Sequence, residues 1–80
     1  MRCEEFDVKR YVDNLIKVGS GHSLSDDEEF YTLEAYLHTE PGSCDSNCND
    51  RFVLYIGESE NRIYTELISR GLNLLEKAVL

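Results

Sequence analysis

The sequence predicts an α+β fold, a small α-β-β-α sandwich in which an antiparallel hairpin packs on two helices. Three observations indicate this fold: apolar residues recur at helical spacing near both ends of the chain, residues 30–39 alternate like a strand, and residues 52–56 form a short apolar run. Two strands require a covering layer, and two amphipathic helices provide it. Residues 1–80 are expected to form a single domain.

The first element is expected to be a helix over residues 4–18. Its apolar residues follow helical spacing and include Val8, Tyr11, Val12 and Leu15. Lys17, near the end of this segment, suits the negative end of the helix dipole. The Gly-Ser-Gly sequence at residues 19–21 predicts where the helix ends.

Residues 30–39 admit two interpretations. A strand would place Tyr31, Leu33, Ala35 and Leu37 on one face. A helix would take Ser25 as its N-cap and Glu28 as the partner in a capping box. The inward side chains of that helix would be Phe30, Leu33 and Leu37. The regular alternation and the Tyr, Thr and Phe content favour the strand, and a third short strand near residues 20–25 stays open.

The second half of the chain is expected to hold a loop, a strand and a helix. Residues 40–50 are rich in Ser, Asn and Asp and contain the Pro-Gly pair, which is typical of a loop. Residues 52–56 predict a strand that ends at a glycine, and the final helix begins near Ser59 or Asn61. Gly71 inside that helix costs about 1 kcal/mol relative to Ala. It indicates either close packing against the sheet or a weak point.

Charge is distributed very unevenly along the chain. Residues 18–50 contain eight carboxylates and no Lys or Arg, whereas the remaining residues carry eight acids and eight bases. The eight are Asp26, Asp27, Glu28, Glu29, Glu34, Glu40, Asp45 and Asp50. The net charge of −8 therefore arises from one stretch, and localised acidity of this kind favours a basic partner. We expect these carboxylates to bind it in the manner of nucleic-acid phosphates.

Other classes of function find little support in the residues. His22 and His38 have no motif partner that would orient them for catalysis, so no enzyme activity is expected. The scarcity of bases argues against direct nucleic-acid binding, and no apolar run is long enough for a membrane span. Cytoplasmic localisation is expected, because the N-terminus lacks the apolar segment of a secretion signal.

The cysteines leave one alternative open. Cys44 and Cys48 are spaced as half a zinc site, which His38 and either Cys3 or His22 would complete. The chain has no second paired motif, so no metal or other cofactor is expected. Whether Cys44 and Cys48 are free, bridged or metal-bound is not decided by the sequence.

Two short stretches resemble part of a known protein family. The stretch at residues 55–61, Tyr-Ile-Gly-Glu-Ser-Glu-Asn, and the acidic Asp-Glu-Glu-Phe-Tyr at residues 27–31 are similar to stretches of a small phage-encoded anti-CRISPR protein, in a different order. The resemblance implies a single-domain α+β protein without enzyme activity that plugs the DNA-reading groove of an RNA-guided nuclease. Its implied contacts are Asp26, Asp27, Glu28, Glu29, Glu34, Glu58 and Glu60.

These observations predict an acidic inhibitory binding protein that blocks a basic nucleic-acid-binding surface of a host defence nuclease. Its location would be the host cytoplasm. The alternative is a small structural or regulatory interaction module, possibly a homodimer, whose acidity only keeps it soluble. In that case a sheet edge or an apolar helix stripe would form the interface.

Overall fold

The computed structural model describes residues 6–39 and 46–79, and these two ranges contain four α-helices. The helices are α1 (Val8–Gly19), α2 (Asp26–Thr39), α3 (Ser46–Gly57) and α4 (Arg62–Val79). Neither described range contains a strand, so the predicted α+β sandwich, with its hairpin and possible third strand, is wrong. The described part of the chain is an all-α fold.

Residues 30–39 belong to helix α2, so the favoured strand interpretation is wrong. The helical alternative gave the correct N-terminus: the Ser25 N–H donates to Glu28 Oε1 at 3.1 Å, and the Glu28 N–H donates to Ser25 Oγ at 3.3 Å. This capping box gives the backbone N–H groups of Ser25 and Glu28 a hydrogen-bond acceptor each. It starts the helix although the following residues favour strands. Of the predicted inward side chains, Leu33 is half-buried against the core, but Phe30 and Leu37 are exposed. The fully buried residues of α2 are Thr32, Ala35 and Thr39 instead.

The strand predicted over residues 52–56 is also helical and forms the second half of α3. A short apolar run fits a buried helix as well as a strand, and periodicity alone does not separate the two. Residues 46–50, predicted to be loop, form the beginning of the same helix. Within the run only Phe52 is buried, whereas Val53 and Leu54 are exposed.

Both predicted terminal helices are present, as α1 and α4, but α1 begins at Val8, so the predicted helical state of residues 6 and 7 is wrong. The Asp7 carboxylate caps α1 by accepting the Arg10 N–H at 3.2 Å, and the chain turns away at Gly21, whose φ is 86°. Asn61 caps α4: its Oδ1 accepts the N–H groups of Ile63 at 3.0 Å and Tyr64 at 3.3 Å. Asn61, rather than Ser59, is therefore the N-terminal cap.

Helix α1 lies at the centre of the fold and makes its largest interface with α4. The buried apolar core consists of Phe6, Tyr11, Val12, Leu15, Ala35, Phe52, Ile68 and Leu75. The two long helices approach so closely that a Cβ added at Gly19 would overlap the Leu67 carbonyl oxygen, and one at Gly71 would overlap that of Leu15. Close packing at Gly71 is therefore confirmed, but the neighbour is α1 and not a sheet.

A buried polar contact joins α1 to α2 and fixes which side of α2 faces inward. Asn14 Nδ2 donates to Thr32 Oγ1 at 2.8 Å, and the Thr32 hydroxyl donates to the Glu28 carbonyl at 2.6 Å. Both side chains are nearly inaccessible to solvent, so each polar group needs this partner. The small face of α2 is thereby held against α1, and Phe30 and Leu37 are exposed. The other large side chains of α2, Tyr31, Leu33 and Tyr36, are partly buried against the core.

Candidate functional site

The side of α2 that faces away from the core carries the candidate site. Helical spacing places six residues opposite Thr32 and Ala35, and we call this surface the outer face of α2. Its residues are Asp26, Asp27, Phe30, Leu33, Glu34 and Leu37. Phe30 is 70% exposed and Leu37 is 51% exposed, while Leu33 is half-buried at the edge. Acidic and large apolar side chains therefore share one solvent-facing surface.

The first turn of α2 presents carboxylates to solvent without neutralising them. Asp26, Asp27 and Glu29 are exposed, and no described residue forms an ion pair with them. Their position at the N-terminal end of a helix suits the positive end of its dipole, which contributes about 0.3–1 kcal/mol per acid. The same three carboxylates thus stabilise the helix and remain accessible to a partner.

Glu28, the fourth acid of this turn, is committed to the structure of the protein. Its Oε2 accepts from Lys17 Nζ at 2.7 Å, and its Oε1 accepts the Ser25 N–H in the capping box. The Lys17 ammonium, followed by the Ser25 hydrogen bonds, lowers the pKa of Glu28 to about 2. Glu28 therefore joins α1 to α2, and its negative charge is largely compensated within the chain.

Two bases of α1 contact the side of α2 that faces α1, away from its exposed acids. Lys17 contacts Glu28, and the Arg10 guanidinium carbon lies 4.1 Å from the centre of the Tyr31 ring. Around them a polar cavity of about 560 Å³ is lined by Asp7, Lys9, Arg10, Asp13, Asn14, Lys17 and Glu28. Positive charge from α1 is thus placed beside Glu28 and Tyr31 and does not reach the exposed side of the first turn.

The remaining candidate carboxylates are spread over the molecule. Glu34 lies on α2 and is half-buried, and Asp50 is exposed on α3. Glu58 and Glu60 are exposed in the connection between α3 and α4. Glu40 and Asp45 lie outside the described residues. The structure therefore brings the acids of residues 26–29 and Glu34 together on α2 but places Asp50, Glu58 and Glu60 elsewhere.

Glu58 borders a separate shallow cavity of about 290 Å³ between α3 and α4. Tyr55 and Tyr64 line it together with Ser59 and Asn61, and the Tyr64 hydroxyl donates to the Tyr55 hydroxyl at 3.4 Å. Partial burial, followed by this hydrogen bond, raises the pKa of Tyr64 to about 12. The tyrosine pair holds the two helices together, and Glu58 faces solvent beside it.

Phe30 and Leu37 are the residues of the candidate site that the sequence analysis missed. The helical alternative placed both inward, where large apolar side chains usually lie. The spacing of Thr32, Ala35 and Thr39 already marks a continuous face of small residues. The capping box at Ser25 sets the helical phase, so these two signals together would have turned Phe30 outward.

The described ranges provide no set of ligands for the zinc site that the cysteines left open. No three His, Cys, Asp or Glu side chains within residues 6–39 and 46–79 cluster as metal ligands. Cys3, Cys44 and the side chain of Cys48 lie outside what the structure describes. No helix in the same ranges combines the length and apolar character needed to cross a bilayer.

Comparisons with known proteins return no match: no family model fits the chain, and no curated protein or solved structure is significantly similar to it. The resemblance to anti-CRISPR proteins therefore stays a prediction, and its implied α+β fold is not the fold described here. Any functional conclusion has to come from the chemistry of the surface.

Proposed function

We propose that this protein is an acidic inhibitory binding protein that occupies a basic, nucleic-acid-binding surface of another protein. The observation that supports the proposal is the first turn of α2, where Asp26, Asp27 and Glu29 are exposed and unpaired among the described residues. They belong to the stretch that accounts for the whole net charge of −8. A partner that supplies Lys or Arg would neutralise them.

The charge density of this turn is close to that of a nucleic acid. Consecutive helical residues rise about 1.5 Å along the axis, whereas duplex DNA carries one charge per about 1.7 Å of its axis. Glu28 is paired to Lys17, so the acids at positions 26, 27 and 29 are the ones that would bind in the places of phosphate groups. A groove that binds phosphates with Lys and Arg would therefore accept this turn, and long-range attraction would speed association.

The target class that best fits such a surface is a nuclease of bacterial defence against phage. Such an enzyme has a basic groove for DNA, and occupying that groove blocks the reaction without any chemistry by the inhibitor. The protein itself would then need no catalytic residue, no metal and no other cofactor, and it would act in the host cytoplasm. The short anti-CRISPR-like stretches agree with this target.

The test is capture from bacterial lysate by the immobilised protein, at low and at moderate salt, with mass spectrometry of what is retained. We expect one basic nucleic-acid-binding protein at both salt concentrations, and added duplex DNA should release it because both ligands occupy the same groove. Cleavage of DNA by the captured nuclease should be inhibited by the free protein. Retention that duplex DNA does not affect would contradict the proposal.

A pair of triple variants separates the α2 carboxylates from overall charge. The first replaces the exposed acids of the first turn: Asp26→Asn, Asp27→Asn and Glu29→Gln. The matched control removes the same charge from α1 and α4: Asp13→Asn, Glu66→Gln and Glu76→Gln. Only the first triple should abolish capture and inhibition, and thermal unfolding should show that both remain folded. If both triple variants captured the partner equally well, the acidic residues of α2 would serve only to keep the protein soluble.

The second candidate function is an interaction module that acts without mimicry, possibly as a homodimer. Its observation is the set of exposed apolar side chains Phe30, Leu37, Val53, Leu54 and Ile63. An interface through a sheet edge is not supported, since the described residues contain no strand. Sedimentation equilibrium decides the dimer form: a monomer at high concentration removes it.

A further inference from the structure

The apolar residues on the outer face of α2 follow the pattern of a helix-pairing seam. Phe30, Leu33 and Leu37 have the spacing of successive a, d and a positions in a heptad. Phe30 and Leu37 are exposed and lie about 10 Å apart along the axis, from a rise of about 1.5 Å per residue. A ridge of this shape fits against a second helix better than into a flat surface.

Acidic residues flank this ridge at the positions that select a partner in paired helices. With Phe30 at a, Asp27 and Glu34 occupy e positions and Glu29 occupies a g position. Side chains at e and g contact the neighbouring helix and determine which partner is accepted. No Lys or Arg occurs anywhere in α2, so the charged residues that α2 itself places at e and g are all negative.

The charges identify the occupant of this face. Two copies of α2 would bring acids against acids, and like charges at such positions destabilise a pair. A helix with an apolar stripe between Lys and Arg residues would bury the ridge and neutralise the exposed Asp27 and Glu29 together. We infer that the outer face of α2 binds a basic amphipathic helix of a partner protein. This inference rests on the proposed function and adds the apolar contact that gives selectivity among basic surfaces.

Phe30 and Leu37 are not part of the core, whereas Leu33 is half-buried and packs against it. Thr32, Ala35 and Thr39 provide the buried side of α2, and the Asn14–Thr32 hydrogen bond fixes its orientation. Phe30 and Leu37 can therefore be truncated with little effect on folding, since exposed side chains usually change stability by less than about 0.5 kcal/mol. This separation makes binding and folding independently measurable.

The probes are three synthetic three-heptad peptides tested by fluorescence anisotropy at moderate salt. The first has Leu at a and d with Lys at e and g; the second keeps the Lys residues but has Ser at a and d; the third keeps Leu but has Glu at e and g. We expect the first peptide to bind at least tenfold more tightly than either of the others. Equal binding of the two Lys peptides would overturn the inference yet leave a charge-only proposed function standing.

Substitutions on α2 then locate the binding surface. Phe30→Ala and Leu37→Ala should each weaken binding of the Leu–Lys peptide about tenfold, the usual effect of truncating an interface anchor. Ile63→Ala is the matched control, because Ile63 is also 70% exposed but lies on α4. Unaltered affinity in the α2 variants, or the same loss with Ile63→Ala, would overturn the assignment to this face.

Reversal of the flanking charges provides the final test. The double variant Asp27→Lys, Glu29→Lys should lose affinity for the Leu–Lys peptide and gain it for the Leu–Glu peptide. Such a switch would not follow from a merely structural role of these residues. Sedimentation of the unmodified protein completes the test, since self-association abolished by Leu37→Ala would make a second copy the occupant and overturn the inference.

Discussion

Neighbouring acids of the same turn have different roles because helical phase gives each a different environment. Glu28 points toward α1, where Lys17 and Ser25 engage both of its carboxylate oxygens. Glu29, the next residue, is exposed and has no ion-pair partner among the described residues. A count of carboxylates treats the two alike, whereas the contacts assign one to stability and the other to the candidate binding surface.

Replacement of Glu28 by Gln should lower the free energy of unfolding at neutral pH and remove part of its acid dependence. The folded-state pKa of Glu28 is lowered from 4.5 to about 2, chiefly by Lys17. Because the folded protein prefers the ionised form, this contribution is complete above about pH 4.5 and is lost as the pH falls toward about 2. Urea unfolding at several pH values in this window measures the effect.

Glu29→Gln is the control for that experiment, since it removes the same charge from the same turn. Its unfolding curve should keep the acid dependence of the unmodified protein between about pH 4.5 and pH 2, because the Glu28 contacts are intact. If both variants showed the same loss of pH dependence, the general charge of α2, rather than the Lys17–Glu28 contact, would be responsible.

At the scale of the element, the sequence predicted the ends of helices better than the state of the central segments. Ser25 and Asn61 act through hydrogen bonds to residues two or three positions away, so the local sequence identified them as candidate caps. Asp7, the cap of α1, was not predicted, because the first helix was expected to begin at residue 4. Residues 30–39 were misassigned because their Tyr, Thr and Phe content favours strands when neighbours are ignored. The buried face of α2 depends on Asn14, which is distant in sequence and gives no local signal.

Gly71→Ala tests the close contact between α1 and α4. Within an isolated helix this change should stabilise by about 1 kcal/mol, because Ala has the higher helix propensity. Here the new methyl group would overlap the backbone oxygen of Leu15, which cannot move without shifting α1. We therefore expect the free energy of unfolding to fall by about 2 kcal/mol, as for other overpacked cores. Chemical denaturation measures it.

Gly57→Ala is the matched substitution at the end of α3. A Cβ at Gly57 has no heavy atom within 4 Å, so the methyl group meets open space. The free energy of unfolding should rise by about 0.5 kcal/mol through the smaller entropy of the unfolded chain. A stabilising Gly71→Ala, similar to Gly57→Ala, would mean that the two long helices are not in backbone contact.

For the whole molecule, composition predicted the sign and region of the charge but not the surface that displays it. The acids of residues 26–29 were predicted to belong to the acidic surface, and three of them are exposed. That Phe30 and Leu37 lie beside them follows from the packing of α2 on α1, which requires the tertiary structure. The acids of the candidate site can be located from the sequence. Its exposed apolar residues can be located only from the fold.

Tyr11 lies at the centre of this fold, so its ionisation is linked to unfolding of the whole molecule. Its ring contacts Phe6 and Phe52, with centroids 5.7 and 5.1 Å away, and it is inaccessible to solvent. The hydroxyl has no hydrogen bond of good geometry within the described residues, although the Thr39 side chain lies near. Burial accordingly raises the pKa of Tyr11 from 10 to about 12, an effect that Thr39 partly offsets.

The folded protein retains the neutral phenol of Tyr11. The contribution of Tyr11 to the free energy of unfolding is therefore fully present below about pH 10 and is lost as the pH rises toward 12. The loss should be on the order of 2–3 kcal/mol, at about 1.4 kcal/mol per pKa unit. Tyr11→Phe should be neutral or stabilising at pH 7, since it removes a buried hydroxyl that makes no hydrogen bond of good geometry with the described residues, and its stability should decline less at high pH. Urea unfolding of both proteins from pH 8 to pH 11.5 measures the difference. Parallel alkaline decline would mean that Tyr11 reaches solvent and that the core around α1 is more open than its contacts with Phe6 and Phe52 indicate.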